Sequence, residues 1–116
     1  MSSAKLIAEA LFTELLEERA DRYGALLSEG SPGSKIKVYR DAMRVFSTLD
    51  VDQQRAMVQF FKLILADAVS AVLGTFDGST GLLQNEFVVT YAGDEVQGEL
   101  FDAFGEIVEM SGLLAE

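Results

Sequence analysis

The chain has 116 residues and a net charge of −10, and it contains no His, no Cys and no Trp. A Ser–His–Asp triad, a thiolate nucleophile, a disulfide and any His- or Cys-ligated metal site are therefore excluded. Carboxylate chemistry is still allowed, and Asp67 with Asp77 would be the pair to consider for it. We predict a single globular domain over residues 1–116 with no catalytic activity, no metal and no cofactor.

The charge is divided unevenly along the chain. Residues 1–62 contain nine basic and nine acidic side chains, whereas residues 63–116 contain ten acidic side chains and no basic ones. The second half therefore carries the whole negative excess, which should repel nucleic acid and anionic lipid and attract a basic protein surface. The alternative is that these acidic residues serve only to keep a small apolar domain in solution.

The first segment predicts a long amphipathic helix over residues 4–28, because its apolar residues recur at spacings of three and four. Ser2 or Ser3 can cap its first turn, and Gly24 is an internal weak point that costs ~1 kcal/mol relative to Ala. The residues before this helix lack the charged start, apolar run and cleavage site of a signal peptide, so we predict a cytoplasmic location.

A turn-forming connector at residues 30–34 leads into a second amphipathic helix, predicted over residues 35–48 with Ser34 as its cap. Apolar side chains at spacings of three and four form its predicted buried stripe: Ile36, Tyr39, Met43 and Phe46. Basic side chains share another face, which either contacts an anionic partner or pairs with nearby acids in solvent: Lys37, Arg40 and Arg44.

The third helix begins with Asp50 as N-cap and Gln53 in the capping-box position, and we predict that it ends near Gly74. From residue 56 onward it is apolar on most sides, so we expect it to lie buried between other elements. Asp67 is then either a paired structural carboxylate at the rim of the core or a site residue. Four polar residues interrupt the apolar run and argue against a membrane span: Gln59, Lys62, Asp67 and Ser70.

A second loop follows, in which Asp77 and Gly78 predict a tight turn and no acidic residue completes a calcium-binding loop. Alternating polarity then predicts a β-hairpin made of a strand, a turn and a return strand: residues 87–91, 92–94 and 95–97. Two strands alone are marginally stable. The hairpin must therefore pack on helices or gain a third strand, either from residues 82–84 or from a second copy of the protein.

The C-terminal segment predicts a helix over residues 98–111 with one apolar and one acidic side. Carboxylates three and four residues apart on a helix repel each other by about 0.2–0.5 kcal/mol per pair. Such a stripe is therefore mildly unfavourable unless cations complement it. We predict that a basic protein surface contacts this helix and the hairpin before it through six carboxylates: Asp94, Glu95, Glu99, Asp102, Glu106 and Glu109.

The second half of the chain also resembles a known class of proteins. Three stretches between residues 72 and 104 are similar to small bacterial immunity proteins of polymorphic toxin systems: Leu73-Gly74-Thr75-Phe76-Asp77-Gly78, Phe87-Val88-Val89 and Gly98-Glu99-Leu100-Phe101-Asp102-Ala103-Phe104. The likeness is a pattern of turn, strand and acidic helix, and it covers about 33 residues. It implies an acidic single-domain protein that binds and blocks a secreted toxin.

Taken in chain order, these elements predict an α+β, mostly α fold: three N-terminal helices, a β-hairpin and a C-terminal acidic amphipathic helix. The predicted function is a small acidic protein-binding module, which the resemblance would make a toxin-neutralising immunity protein or inhibitor. The alternative is a structural or self-associating bacterial domain, such as a homodimer. In that case, the basic face of the second helix would pair with the acidic helix of the same or another copy.

Overall fold

The computed structural model describes residues 2–29, 35–78 and 88–116 and is mostly helical (74%), which confirms the predicted α+β, mostly α class. Two predicted features, the connector at residues 30–34 and the third-strand candidate at residues 82–84, lie outside the described residues. The elements in chain order are α1 (Ser3–Leu11), a π-helical segment (Phe12–Arg19), α2 (Ala20–Glu29), α3 (Lys37–Ser47), α4 (Val51–Phe76), β1 (Thr90–Tyr91), β2 (Asp94–Glu95) and α5 (Leu100–Met110).

The first predicted helix is present and exceeds the prediction by one residue at each end. Ser2 is its N-cap, and the Ser2 hydroxyl accepts a hydrogen bond from the Lys5 backbone N–H at 3.2 Å. The helix continues without interruption from α1 through the π-helical segment into α2. The predicted cap is therefore confirmed. The change from α-helix to π-helix within this helix was not predicted.

The π-helical segment widens the turns in the middle of this long helix. The Ala20 N–H contacts the Leu15 carbonyl, five residues earlier, as in π-helical hydrogen bonding. The wider turn also brings together side chains five residues apart, and Arg19 Nε lies 3.3 Å from Glu14 Oε1. On an α-helix such pairs form at spacings of three and four. Nothing in the residue pattern predicted this segment.

The second predicted helix, α3, begins two residues later than expected, with Ile36 rather than Ser34 at the N-cap. The Ile36 backbone is extended (φ −86°, ψ 116°), so its side chain does not follow the helical stripe and is 56% exposed. The prediction that Ile36 is buried is therefore wrong. Met43 and Phe46 are buried as predicted, and Tyr39 is half-buried.

The third predicted helix, α4, starts with the expected capping box. Asp50 Oδ1 accepts from the Gln53 N–H at 2.8 Å, and Gln53 Oε1 accepts from the Asp50 N–H at 2.9 Å. The helix extends to Phe76 rather than ending near Gly74, which is buried inside its last turns. A glycine in a helix costs only about 1 kcal/mol, which packing on the core readily offsets.

The expectation that α4 lies buried between other elements is wrong. Its buried residues are Ala66, Leu73 and Gly74, while many of its large apolar side chains are exposed. By length and composition alone α4 could cross a membrane: its most apolar 18-residue window has a mean hydropathy of 1.8 and is 11% buried. Asp67 lies on the exposed side as well and forms no ion pair with another described residue.

The reason for this exposure is that the described core consists of two separate clusters. One joins α1, the π-helical segment, α4 and α5 around Leu16 and Phe104, and the other joins α2 and α3 to α4 around Phe46. Tyr39 packs against the second cluster, and its ring stacks on that of the exposed Tyr23 with the centroids 6.5 Å apart. The side-chain hydrogen bond with Tyr23, followed by desolvation, raises the pKa of Tyr39.

The β-hairpin is shorter than predicted. β1 and β2 pair antiparallel over two residues each, and the turn between them has positive φ at both Ala92 (51°) and Gly93 (85°), as in a type I′ turn. Asp94 belongs to β2 rather than to the turn. Val96, just after β2, is 1% exposed and anchors the hairpin in the first core cluster. The hairpin thus packs on helices, which is the first of the two alternatives predicted for its stabilisation.

Candidate functional site

The acidic helix is fixed by its apolar side, which packs on α1 and α4. It begins at residue 100 rather than 98, because Gly98 has a φ of +92°, outside the helical region. Its buried residues all lie on one side: Leu100, Ala103, Phe104 and Val108. The carboxylates on the other side are all exposed: Glu99, Asp102, Glu106 and Glu109. The predicted division into an apolar and an acidic side is confirmed.

The N-terminus of α5 is capped by a residue from another element. Glu99 occupies the N-cap position but makes no side-chain cap hydrogen bond. Asp77, the C-cap of α4, supplies the acceptors: its Oδ1 accepts from the Gly98 N–H and its Oδ2 from the Phe101 N–H, both at 2.8 Å. A carboxylate here also interacts favourably with the positive end of the helix dipole. Asp77 therefore holds the acidic helix against the end of α4.

Replacing Asp77 by Ala should lower the free energy of unfolding by about 1 kcal/mol, the usual cost of losing a helix cap. Asp77→Asn keeps one acceptor oxygen and should lose less, since one of the two N–H groups remains bonded. Urea unfolding followed by far-UV circular dichroism measures both changes. Equal stability of the Ala variant and the wild type would show that the cap contributes nothing.

Two of the six predicted contact residues are engaged within the chain. The Ser3 hydroxyl donates to Asp94 Oδ2 at 2.8 Å, which ties the hairpin to the start of α1. Lys5 Nζ lies 3.7 Å from Glu106 Oε1, and because both side chains are about half exposed this pair contributes little. The other four form no ion pair with any described residue: Glu95, Glu99, Asp102 and Glu109.

The basic face of α3 does not neutralise the acidic helix through any ion pair between described residues. Lys37 Nζ lies 2.6 Å from Asp41 Oδ2, and Arg44 lies 3.8 Å from Asp41 Oδ1, so both cations pair within their own helix. α3 itself packs on α2. If the basic face of α3 paired with the acidic side of α5 within one copy, the carboxylates of α5 would serve to stabilise the fold. The described residues show no such ion pairs.

The helix dipole concentrates negative potential at one end of the acidic face. Asp102 lies in the first turn of α5, where the dipole favours a negative charge. Glu106 and Glu109 lie toward the other end, where the dipole is itself negative and the last turn contains no basic residue. A cationic group from another molecule therefore gains most near the C-terminal end of α5.

A cleft of about 680 Å³ opens beside that end of α5, between the π-helical segment and α4. Glu9 and Glu17 contribute carboxylates to it, and Met110 of α5, 80% exposed, also lines it. Lys62 lines the cleft too, although its Nζ lies 3.1 Å from Asp21 Oδ1. The apolar lining comes from Phe12, Leu16, Ile107 and Leu113. A cleft lined by both apolar side chains and carboxylates suits the long side chain of an Arg or Lys.

Glu9 and Glu17 are absent from the predicted site. They are eight residues apart on the first helix, two turns along one side, and this spacing was the only available signal. They become part of the site only because tertiary packing places α5 beside the first helix, so that all of them line the same cleft. Within residues 2–29, 35–78 and 88–116, no three acidic side chains are grouped so that they could hold a metal ion. The loop considered for calcium runs into residues 79–80, which lie outside the described residues.

Comparison with protein-family models, with characterised proteins and with solved structures gives no match to this chain. The resemblance of residues 72–104 to bacterial immunity proteins therefore stays a prediction. Part of that stretch, residues 79–87, also lies outside the described residues. The function is therefore inferred from the geometry and charge of the acidic face and of the cleft beside it.

Proposed function

We propose that this protein is a binding module without catalytic activity that docks the acidic side of α5 on a basic protein surface. The observation that carries the proposal is that Glu99, Asp102 and Glu109 share one exposed face and form no ion pair with any described residue. Holding several like charges together is mildly unfavourable for the isolated chain. A partner that supplies cations removes this cost and gains attraction at the same time.

Binding would combine long-range attraction with local apolar contact. The net charge of −10 steers a basic partner toward the second half of the chain, and this effect weakens as salt screens the charges. Met110 and Leu114 are 80% and 52% exposed near the end of α5 and provide apolar contact area. An Arg or Lys of the partner would place its alkyl stem on the cleft lining and its charge near Glu9 and Glu17.

The test is a charge reversal on the acidic face with a matched reversal elsewhere. Asp102→Lys with Glu109→Lys changes the net charge from −10 to −6, as does Glu18→Lys with Glu29→Lys on the first helix. All four residues are exposed, so both variants should fold. Asp102 and Glu109 lie at opposite ends of α5, so their effects on the helix dipole should largely cancel.

Each immobilised protein is incubated with an extract of the native host at low salt, and bound proteins are identified by mass spectrometry. We expect the wild type and the first-helix variant to retain the same basic protein, and the α5 variant to lose it. With that protein purified, the α5 variant should raise the dissociation constant at least tenfold, or about 1.4 kcal/mol. Equal affinity of the α5 variant and the wild type would contradict the proposal.

Within this class, the resemblance of residues 72–104 favours a toxin-neutralising protein. The captured partner would then be toxic when expressed alone, and co-expression of the wild-type chain would restore growth. The Asp102→Lys, Glu109→Lys variant should fail to restore it. A captured partner that is harmless to the cell would contradict the toxin-neutralising role. It would not contradict the proposal that the chain is a binding module for a basic protein.

A further inference from the structure

One side of α4 exposes a continuous row of uncharged side chains. They recur at spacings of three and four, and we refer to them as the α4 seam: Met57, Phe60, Ile64, Ala68 and Ala71. The buried residues Ala66 and Leu73 lie about 180° away around the helix, at 100° per residue. The seam therefore points away from the core. An apolar groove of about 300 Å³ between α2, α3 and α4 adjoins it at Ile64.

We propose that the α4 seam binds the same seam of a second copy, with the two helices antiparallel about a two-fold axis at Ile64. In this register positions whose numbers add to 128 face each other. Met57 then lies opposite Ala71 of the other copy, and Phe60 lies opposite its Ala68. Each large side chain thus meets a small one, which allows the close packing that core interfaces require.

The exposed area of the α4 seam is that of a weak, transient interface. Phe60 and Ile64 are each more than 50% exposed, and Met57 is 39% exposed. With about 200 Å² for a large apolar side chain and a smaller share for the two alanines, each copy offers about 400 Å². Two copies would bury about 800 Å², less than a stable interface buries and in the range of weak, transient ones. We therefore expect a reversible dimer with a dissociation constant in the micromolar range rather than a permanent one.

Charge favours a second copy over a lipid surface. Asp67 lies about 60° from the centre of the seam, at 100° per residue, so it stays at the solvent edge of a helix pair. The same carboxylate would have to enter the apolar layer if α4 inserted into a membrane. A chain with net charge −10 is also repelled by anionic lipid. Because two such chains repel each other, the affinity of the dimer should increase as salt screens their charges. The affinity of the acidic face for a basic partner should instead decrease with salt.

The first test measures the mass of the full chain by analytical ultracentrifugation between 5 and 500 µM, concentrations on the order of the expected dissociation constant. We expect a shift from 12.6 kDa toward twice that mass, stronger at high salt. Ile64→Glu should weaken the dimer at least a hundredfold, because the axis brings the two new charges together. Val45→Glu on α3, also at an exposed apolar position, should leave it unchanged.

The second test fixes the register and uses the natural absence of cysteine. Oxidation should cross-link the Ile64→Cys variant with itself. Met57→Cys alone should not cross-link, because its two copies lie about 21 Å apart along the helix pair at 1.5 Å per residue. A mixture of Met57→Cys and Ala71→Cys should form the mixed dimer. A parallel pair would instead cross-link every variant with itself and would overturn the proposal.

A monomer at every concentration and salt overturns the proposal. So does a monomer that floats with vesicles of phosphatidylcholine and phosphatidylglycerol, because lipid would then cover the seam. These outcomes say nothing against the acidic face of α5, since the two surfaces lie on different elements. Conversely, a dimer that forms in the Asp102→Lys, Glu109→Lys variant supports the seam even if no basic partner is found.

Discussion

Replacing Phe104 by Ala is expected to lower the free energy of unfolding by about 3–5 kcal/mol, the usual cost of removing a buried aromatic side chain. Phe104 is 0% exposed and lies in the core cluster that joins α1, α4 and α5. Its removal leaves a cavity that three helices would have to close together. Because domains of this size are stable by only about 5–15 kcal/mol, a large part of the stability would be lost.

Phe101→Ala is the matched control, since it makes the same substitution three residues earlier on the same helix. Phe101 is 42% exposed, so less of its area leaves water on folding, and we expect a loss below about 2 kcal/mol. Urea unfolding of both variants gives the comparison. Similar losses for the two would mean that α5 is not held by its apolar side, and the acidic face would then have no fixed orientation.

Sequence patterns predicted the structure well wherever a local rule determines the outcome. The capping box of Asp50 and Gln53 depends on residues three apart, and the two sides of α5 follow from a period of 3.6 residues. The exposure of α4 does not follow from any such rule. An apolar helix predicts burial, but whether another element covers it depends on the number and position of the remaining helices.

The candidate site shows the same division. The exposed carboxylates of α5 were predictable from spacing, because an amphipathic helix directs its polar side to solvent. The role of Asp77 was not, because its two hydrogen bonds join residues 21 and 24 positions apart in the chain. The carboxylates in the cleft, Glu9 and Glu17, likewise depend on which helix packs beside them.

The two proposed surfaces divide the molecule by chemistry. The α5 face is charged and should bind a different protein most strongly at low salt, whereas the α4 seam is uncharged and should bind its own copy most strongly at high salt. α4 contacts the core on the side opposite the seam, so a dimer would leave both acidic faces exposed. A dimer would then present two equivalent sites to a basic partner and gain avidity if that partner has two matching patches.

Gly24→Ala should lower the free energy of unfolding by about 2 kcal/mol, although alanine is the better helix former. A Cβ at this position would lie 2.7 Å from Val58 Cγ2, where α2 crosses α4. Val58 is β-branched and strongly prefers one rotamer in a helix, so it cannot easily turn aside. The sequence pattern alone marks Gly24 as a weak point, whereas the packing makes it the residue that lets the two helices approach.

The decisive comparison is the same substitution in a Val58→Ala background, where the obstructing methyl groups are gone. Gly24→Ala should then be neutral or stabilise by up to about 1 kcal/mol, its intrinsic helix preference. The double-mutant cycle therefore predicts that the effect of Gly24→Ala on the free energy of unfolding changes sign between the two backgrounds, rather than only becoming smaller. If Gly24→Ala stabilises the protein in both backgrounds, the contact between α2 and α4 is looser than 2.7 Å implies, and the second core cluster is not closely packed.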